Sequence, residues 1–338
     1  MRITQQHIAR MAGVSQATVS RVLSGDDRVE PEIKDRVLAV VRDQKYRLDA
    51  RARSLRKQET HMVGLVVKAR PDIKGDPFFA SLTGGILETL ADTDYHLCVD
   101  LAHEGDAQIE TYEELLRTRR VDGLILVESE PDDQRIKALS RDQFPFVVIG
   151  NPGIEGIASV DNDNVLAGAM ATQHLIDQGY TSIAFLAGPE EVTVSQDRIL
   201  GYEQALEKAG LKPAVAYSAF GQNAARQVAR DVLMLRNRPD AIVVLDDLMA
   251  MGVIQAAHEM GLAIPEELGI ISFNNSILSE VVNGGLSSID LNIAAMARAS
   301  VASLLDLIES GSSPEMRVLV PSSLVPRGSS QRKSKAPR

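Results

Sequence analysis

One stretch decides how the N-terminal region folds: Ile8-Ala9-Arg10-Met11-Ala12-Gly13-Val14-Ser15-Gln16-Ala17-Thr18-Val19-Ser20-Arg21-Val22. Its pattern predicts two short helices joined by a glycine turn, because Gly13 can adopt the positive φ that such a turn needs. Ser15 is a good N-cap for the second helix. Two helices joined in this way form a helix-turn-helix, whose second helix enters the major groove of DNA.

The second predicted helix would offer Gln16, Ala17 and Arg21 to a major groove. Amide and guanidinium groups can pair with two atoms of one base edge, so Gln16 and Arg21 are stronger candidates for base recognition than the hydroxyl residues beside them. A helix pair joined by glycine is common in proteins. This motif alone therefore leaves DNA binding open.

The same order of motifs continues along the whole chain. Seven segments fall in the order and spacing of the LacI/GalR, or lactose-repressor, family: residues 4–23, 46–55, 64–67, 76–79, 198–202, 246–252 and 271–275. The string Ala-Gly-Val-Ser-x-x-Thr-Val-Ser-Arg-Val-Leu at residues 12–23 is highly specific to that family, which the chain therefore resembles. Residues 272–276 and 286–290 look most like its maltose-regulator branch.

This resemblance implies an α/β fold with an N-terminal three-helix helix-turn-helix head, a hinge helix, and two doubly wound parallel-sheet lobes of periplasmic-binding-protein type. We expect a DNA-binding domain at 1–46, a hinge helix and linker at 47–61, an effector-binding and dimerisation domain at 62–326, and a basic polar tail at 327–338. The helical spacing of apolar residues over Pro31 to Gln44 predicts the third helix of the head.

Short apolar runs alternate with amphipathic segments in the predicted lobes, which is typical of buried parallel strands joined by helices. The runs are Val63–Val67, Leu97–Leu101, Gly123–Val127, Phe146–Ile149, Ile183–Ala187, Ala241–Leu245 and Gly269–Phe273. By resemblance, the chain crosses between the lobes near residues 159–162, 290–292 and 321–324. Sheets of this kind bind ligands at the carboxyl ends of their strands, so we expect an effector cleft between the lobes.

The hinge helix of this family folds on DNA, and Leu55 stands where the family has the leucine that wedges into a central minor-groove step. Where the family usually has Tyr-x-Pro-Asn before this helix, the chain has Tyr46-Arg47-Leu48-Asp49. We expect operator DNA to be contacted from the head and the hinge by Thr4, Ser15, Gln16, Ala17, Thr18, Ser20, Arg21, Arg51, Arg53 and Leu55.

A sugar site needs planar hydrogen-bonding groups and a flat apolar face. By resemblance, Arg198 matches the family arginine that contacts the effector. Asp246 matches a position that is commonly Asn or Asp, and Asn274 matches one that is commonly Asp. The predicted effector-binding set is Asp76, Phe78, Phe79, Arg198, Phe220, Asp246 and Asn274.

Some of these residues have an alternative, purely structural interpretation. Arg198 would pair with a nearby carboxylate, and Phe79 would belong to the core. Asp247 is expected to be the N-cap of a helix over Leu248 to Met260 rather than an effector ligand.

Charge is divided unevenly along the chain. Residues 1–60 hold 13 Lys or Arg against eight Asp or Glu, whereas the whole chain has a net charge of −10. A basic head on an acidic body concentrates the attraction to DNA phosphates on one face. Ordinary solubility would explain the same balance, so charge alone does not decide between the two.

Other classes of protein find little support in the sequence. Cys98 is the only cysteine, no Cys/His set has zinc-ligand spacing, and neither a nucleophile elbow nor a phosphate-binding loop is present. We therefore expect no enzyme, no metal and no cofactor. The sequence has neither a signal peptide nor an apolar run of membrane-spanning length, which indicates a cytoplasmic protein without a membrane partner.

The sequence thus predicts a homodimeric transcription regulator. It would repress genes of carbohydrate uptake or catabolism, and a small sugar-like effector bound between two lobes would switch its affinity for double-stranded operator DNA. One alternative is a catabolite-control regulator with a phosphorylated carrier protein as co-effector. Another is a sugar-binding transport protein, against which the basic head and the lack of a signal peptide argue.

Overall fold

The structure is a computed structural model that describes residues 3–23, 26, 28–44, 46, 59–70, 73–102, 106–282, 284–311 and 316–332, with only the backbone of residues 106–109. The chain divides into two compact units, Met1–Thr60 and His61–Arg338. No helix in the described ranges is both long enough and apolar enough to cross a membrane.

The first unit contains three helices, α1 (Gln5–Ala12), α2 (Gln16–Leu23) and α3 (Pro31–Asp43). Gly13 has a φ of 64° at the end of α1, and the Ser15 Oγ accepts a hydrogen bond of 3.1 Å from the backbone N–H of Thr18. Ile8, Val19 and Val37, one from each helix, are fully buried against one another in a small core. The predicted helix-turn-helix and its third helix are confirmed.

The second unit contains two six-stranded sheets, and each defines one lobe. The sheet of the first lobe has the strand order β11-β5-β4-β3-β1-β2 and is parallel throughout. Its strands are β1 (Met62–Lys68), β2 (His96–Ala102), β3 (Gly123–Leu126), β4 (Phe146–Ile149), β5 (Ser159–Asp161) and β11 (Arg317–Leu319). The helices that follow these strands in sequence are α4 (Pro77–Leu90), α5 (Asp106–Thr118) and α6 (Gln134–Arg141), and a 3-10 turn covers Ile73–Gly75.

The sheet of the second lobe has the order β12-β10-β9-β8-β6-β7, and only β12 is antiparallel to its neighbour. Its strands are β6 (Ile183–Ala187), β7 (Val215–Tyr217), β8 (Ala241–Val244), β9 (Gly269–Phe273), β10 (Ser287–Asp290) and β12 (Ser323–Val325). Its helices are α7 (Asn164–Asp177), α8 (Thr193–Lys208), α9 (Gln222–Leu233), α10 (Asp247–Glu259) and α11 (Ile277–Val281), and α12 (Ile293–Ser310) packs on the first lobe. Each of the seven predicted apolar runs forms a strand.

The chain passes between the lobes three times: after β5, after β10, and between β11 and β12. The predicted crossings are confirmed. Asn162, which is 1% exposed, ties the three passages together, because its amide donates to the carbonyls of Leu291 at 3.1 Å and Val320 at 2.7 Å. A single buried side chain therefore joins the three passages between the lobes.

The C-terminal segment corrects one predicted boundary. We expected a polar tail from Arg327, but Ser329 is 2% exposed and Ser330 is fully buried. The backbone N–H of Gly328 donates to the Gly284 carbonyl at 2.7 Å, and the Ser330 Oγ lies 2.7 Å from His174 Nε2. The polar composition of this segment predicts exposure to solvent, but its serines are buried, so residues 327–332 belong to the second lobe. The rest of the predicted tail lies outside the described residues.

Candidate functional site

A cavity lies between the two lobes, at the carboxyl ends of their strands. It encloses about 710 Å³ of space that is partly open to solvent. Glu128 follows β3, Asp161 ends β5, Asp246 follows β8 and Asn274 follows β9, so residues from both sheets meet there. Six of the seven residues of the predicted effector-binding set line this cavity: Asp76, Phe78, Arg198, Phe220, Asp246 and Asn274.

Phe79 is the residue of that set that does not line the cavity. It is 6% exposed and belongs to the hydrophobic core. Its ring packs edge-on against Phe78, with 5.4 Å between the centroids, and the Arg70 guanidinium carbon lies 5.1 Å from its centroid. Because α4 turns Phe79 inward, this side chain supports the cavity wall, which corrects its predicted role as an effector contact.

The wall of the first lobe is built around Arg70, which sequence reasoning missed. Its guanidinium pairs through one terminal nitrogen with Asp76 and through the other with Glu128. Burial opposes the charge on Arg70, but the two carboxylates outweigh this effect, and the pKa of the guanidinium lies above its ordinary value. Asp76 also caps α4, since its Oδ1 accepts from the Phe78 N–H at 2.9 Å. The Phe220 ring covers the guanidinium from the second lobe at 4.6 Å.

The wall of the second lobe contains Arg198 on α8, and this side chain is 4% exposed. Its Nε donates to Asn164 Oδ1 at 2.9 Å and its Nη1 donates to the Leu245 carbonyl at 2.7 Å. The guanidinium also stacks on the Phe273 ring at 4.2 Å. Its hydrogen-bond acceptors are neutral, so the alternative of a carboxylate partner does not hold. Burial lowers the pKa of Arg198 to about 10, although surrounding carboxylates such as Asp246 oppose the shift.

Two glycines allow Arg198 to reach these partners. A Cβ at Gly201 would lie 1.9 Å from the Val165 carbonyl oxygen, and a Cβ at Gly168 would lie 2.2 Å from the carbonyl oxygen of Arg198 itself. The backbones of α7 and α8 therefore approach more closely than any larger residue permits. Gly201 lies in the segment 198–202 that carried the resemblance, and its role is to bring α8 against α7.

The N-cap predicted at Asp247 belongs to Asp246, which also lies in the cavity as predicted. Asp246 is the N-cap of α10, because its Oδ1 accepts from the Met249 N–H at 2.6 Å, and it also lines the cavity. Burial raises the pKa of its carboxyl to about 7. Asp247 is fully buried and accepts from the Ser272 Oγ, from the Ser288 Oγ at 2.9 Å and from the backbone N–H of Ser276, just before α11, at 2.6 Å. The alternative that Asp247 caps the helix is therefore wrong by one residue.

Several cavity-lining residues were not in the predicted set: Arg70, Glu128, Ser129, Asp161, Asn162, Asn164 and Thr193. Burial raises the pKa of Asp161 to about 6. A usable signal existed for Glu128 and Asp161, since each is a polar residue at the carboxyl end of an apolar run. No comparable signal marked Arg70 or Thr193.

The two lobes touch across this cavity through Thr193. Its backbone N–H and its Oγ1 both lie 3.1 Å from the Ser129 carbonyl oxygen, and the Oγ1 lies 3.2 Å from the Asn151 carbonyl oxygen. Asn151 in turn donates from Nδ2 to Asp197 at 3.2 Å. These bonds join the first lobe to the N-terminal turns of α8, so they form only when the lobes are close together.

The head presents a second candidate surface along α2. Ser15, Gln16, Ala17 and Arg21 are exposed and Thr18 and Ser20 are partly exposed, whereas Val19 and Val22 face the core. Thr4 is exposed at the start of α1, where it forms a capping box with His7. Arg51, Arg53 and Leu55 lie outside the described residues. The polar face of α2 that the sequence assigned to DNA is thus available to a ligand.

Residues 4–48 match the profile of bacterial regulatory proteins of the lacI family, and residues 172–330 match the periplasmic binding protein-like domain. The HTH-type transcriptional regulator MalR of Streptococcus pneumoniae serotype 4 is 30% identical over 316 residues, which cover 91% of this chain and 93% of that protein. The ribose operon repressor of Escherichia coli strain K12 is 29% identical over 331 residues, covering 96% and 99%.

A solved structure of the transcriptional regulator CelR in complex with cellobiose has the same architecture. It is 27% identical, has a TM-score of 0.75, and the match covers 97% of this chain and 100% of that one. The ribose operon repressor and the CelR–cellobiose complex are named for different sugars, and they are 29% and 27% identical to this chain. The similarity therefore does not single out one sugar.

Proposed function

The chain belongs to the lacI family of bacterial regulatory proteins, and from this premise we propose that it is a transcriptional repressor of carbohydrate genes. The head binds operator DNA, and a small sugar-like effector in the cavity between the lobes changes the affinity of the head for that DNA. A protein with this task works in the cytoplasm and regulates rather than catalyses.

The cavity is the observation that carries this proposal. It lies where two parallel sheets present the carboxyl ends of their strands, which is the usual ligand position in such folds. Its lining combines carboxylate, amide and guanidinium groups with the rings of Phe78 and Phe220. Sugar hydroxyls both donate and accept hydrogen bonds, and the apolar face of a sugar ring packs on aromatic rings, so this lining suits a carbohydrate.

The exposed face of α11 supports a dimer. Ile277 is 65% exposed and Val281 is 69% exposed, and residues four apart lie on the same side of a helix. Helix-turn-helix proteins bind two half-sites through a two-fold symmetric dimer. We assign this apolar face to contact with a second copy of the chain.

The switch rests on the difference in effector affinity between two arrangements of the lobes. An effector that fits only the closed cavity favours the closed form, and one that fits both forms equally changes nothing. A difference of about 5.5 kcal/mol moves a population from 1:99 to 99:1. The three passages joined by Asn162 are the pivot, and the Thr193 contacts belong to the closed form.

The DNA-binding part of the proposal is tested by Arg21→Ala, with Arg10→Ala as the matched control. Both side chains are exposed, but Arg10 lies on α1, outside the predicted recognition helix. We expect Arg21→Ala to reduce the preference for operator over random DNA by about 1–3 kcal/mol, because a base contact is lost. Arg10→Ala should leave that preference unchanged. Titration of labelled duplexes at two salt concentrations measures both.

An equal loss of affinity for operator and random DNA in Arg21→Ala would contradict the placement of the recognition helix.

The effector part of the proposal is tested by a thermal-shift panel of sugars, since a ligand at a hundred times its dissociation constant adds about 2.7 kcal/mol of stability. A chain that binds DNA only with a phosphorylated carrier protein would instead be a catabolite-control regulator. A chain that binds no duplex DNA would favour a transport protein.

A further inference from the structure

The charges that line the cavity are unequal. Among the described residues of its lining there are four carboxylates, Asp76, Glu128, Asp161 and Asp246, against two guanidiniums, Arg70 and Arg198, and neither lysine nor histidine. Proteins bind phosphate and carboxylate ligands through guanidinium forks and through backbone N–H groups at helix N-termini. The question for effector selection is whether either kind of group is available here.

Arg70 is not available to an anion. Its two terminal nitrogens already donate to Asp76 and Glu128, and the rings of Phe79 and Phe220 lie 5.1 and 4.6 Å from its guanidinium carbon. Its side chain is 13% exposed. Two carboxylates on one guanidinium leave a local excess of one negative charge, so an incoming phosphate would meet repulsion at the place where the cation should attract it.

The helix N-termini at the cavity are also occupied. The N-terminus of α4 carries the Asp76 carboxylate and that of α10 carries the Asp246 carboxylate, each bonded to a backbone N–H of the first turn. These carboxylates take the position that a bound anion would take. At the third helix, α8, the Thr193 N–H donates to the Ser129 carbonyl at 3.1 Å. The second guanidinium, that of Arg198, is 4% exposed, and its Nε and Nη1 already donate to Asn164 Oδ1 and to the Leu245 carbonyl.

From these observations we infer that Glu128 is a specificity-determining residue, which together with Asp76 neutralises Arg70 and makes the cavity reject anionic effectors. The effector class is then an uncharged polyhydroxylated sugar, and its phosphate esters are excluded. Hydroxyl groups of such a sugar donate to the cavity carboxylates without adding negative charge. This inference rests on the proposed function and names the chemistry of its effector.

The test uses the full chain and inorganic phosphate as the probe. The melting temperatures of wild type, Glu128→Gln and Glu130→Gln are measured at increasing phosphate concentrations. Chloride is added so that the ionic strength stays the same throughout. Glu130 is the matched control, because it lies two residues further along, pairs with Lys68 and does not line the cavity. We expect phosphate to bind Glu128→Gln roughly tenfold or more tightly than wild type, since one of the two carboxylates is removed and the Nη1 of Arg70 is no longer paired with a charge. Glu130→Gln should behave as wild type.

Two results would overturn the inference: phosphate binding by wild type as tight as by Glu128→Gln, or no gain in Glu128→Gln. The double variant Glu128→Gln/Arg70→Met must lose the gain, which shows that Arg70 provides it. If Glu128→Gln does not fold, wild type alone decides, by comparing glucose with glucose 6-phosphate and maltose with its phosphate ester. A phosphate ester that stabilises wild type as much as its parent sugar contradicts the inference.

A parallel titration with operator DNA keeps this inference separate from the proposed function. If wild type binds operator DNA and also binds phosphate esters as well as their parent sugars, the proposed repressor function is supported and the proposed selectivity is wrong. If wild type binds no operator DNA, the repressor function is wrong, and the phosphate titration of the three proteins still decides the role of Glu128.

Discussion

Arg70 and Arg198 reach one cavity from opposite lobes, and the structure compensates their charges in opposite ways. Arg70 pairs directly with two carboxylates, and the pKa of its guanidinium is raised. Arg198 donates to an amide and a carbonyl oxygen, and burial lowers its pKa to about 10. In the first lobe the cavity arginine is therefore already ion-paired before an effector binds. In the second lobe the cavity arginine bonds only to neutral acceptors, so an effector can still add hydrogen bonds that stabilise the wall.

This difference has an energetic consequence. A buried charge that lacks a close counter-ion costs several kcal/mol, and proteins usually replace or pair such groups. In the second lobe neither Arg198 nor Asp246 has an ion pair within salt-bridge distance among the described residues, and burial shifts the pKa of each toward its neutral form. Hydrogen bonds from an effector to these two groups gain more than bonds to groups that are already paired. We therefore expect the second lobe to supply most of the effector's binding free energy.

The largest expected effect separates the two arginines by stability. Arg70→Met leaves the carboxylates of Asp76 and Glu128 buried without a cation, so we expect a loss of about 3–5 kcal/mol in the free energy of unfolding. Arg198→Met leaves only neutral acceptors unsatisfied, so a smaller loss of about 1–3 kcal/mol is expected, together with loss of the response to effector. Urea unfolding curves of the two variants give both values.

The triple variant Arg70→Met/Asp76→Asn/Glu128→Gln is the control for this experiment. It removes the stranded charges and keeps an amide that can still cap α4, so most of the lost stability should return. Equal losses of stability for Arg70→Met and Arg198→Met would show that the charges of the two arginines are compensated in the same way, which would contradict the proposed difference between the lobes.

The next effect concerns the second lobe and pH. Burial raises the pKa of Asp246 from 3.8 to about 7, so between about pH 4 and pH 7 the folded protein keeps a proton that the unfolded chain has released. The resulting contribution to stability is fully present below about pH 4 and is lost as the pH rises through about 7. Asp246→Asn has no such proton, so its stability relative to wild type should rise between pH 5 and pH 8 by roughly 2–3 kcal/mol.

Asp163→Asn provides the matched control for this pH series. Asp163 caps α7 by accepting from the Leu166 N–H at 2.8 Å, as Asp246 caps α10, but its side chain is exposed. The stability difference between Asp163→Asn and wild type should stay constant over the same range. If the stability difference between Asp246→Asn and wild type is also constant with pH, the carboxyl of Asp246 is as accessible to solvent as that of Asp163.

The same contrast explains what the sequence can predict. The strands follow from local patterns, since each apolar run lies within one short segment, whereas the crossings were predicted from the resemblance to the family. Arg198, Asp246 and Asn274 were found because they fall in segments that resemble the family. Arg70 was missed because its pairing with Glu128 joins positions 58 residues apart, and its type does not distinguish it from dozens of surface charges. Glu128 was overlooked although it directly follows an apolar run.

Two further errors have the same physical origin. Whether Asp246 or Asp247 caps α10 depends on where the preceding strand ends, and a shift of one residue exchanges a cavity-lining carboxylate with a buried one. Ser329 and Ser330 look like part of a polar tail until β9 and β10 supply the backbone and hydroxyl groups that bury them. In each case a partner distant in sequence decides, and local composition does not contain it.

The smallest expected effect lies at the contact between the walls. Thr193→Val keeps the shape of the side chain and the backbone hydrogen bond to Ser129, and removes the hydroxyl that reaches Ser129 and Asn151. A hydrogen bond of this kind contributes about 0.5–1.5 kcal/mol, so the closed form should become rarer by roughly twofold to tenfold. If the effector binds that form, its apparent dissociation constant rises by up to the same factor.

Thr172→Val is the matched control, because the Oγ1 of Thr172 is buried too but donates to Gly168 within α7. Titration with a sugar from the thermal-shift panel measures the effect: weaker binding in Thr193→Val alone assigns these bonds to closure, whereas equal changes in both variants would mean that the hydroxyl of Thr193 contributes only to the stability of the second lobe.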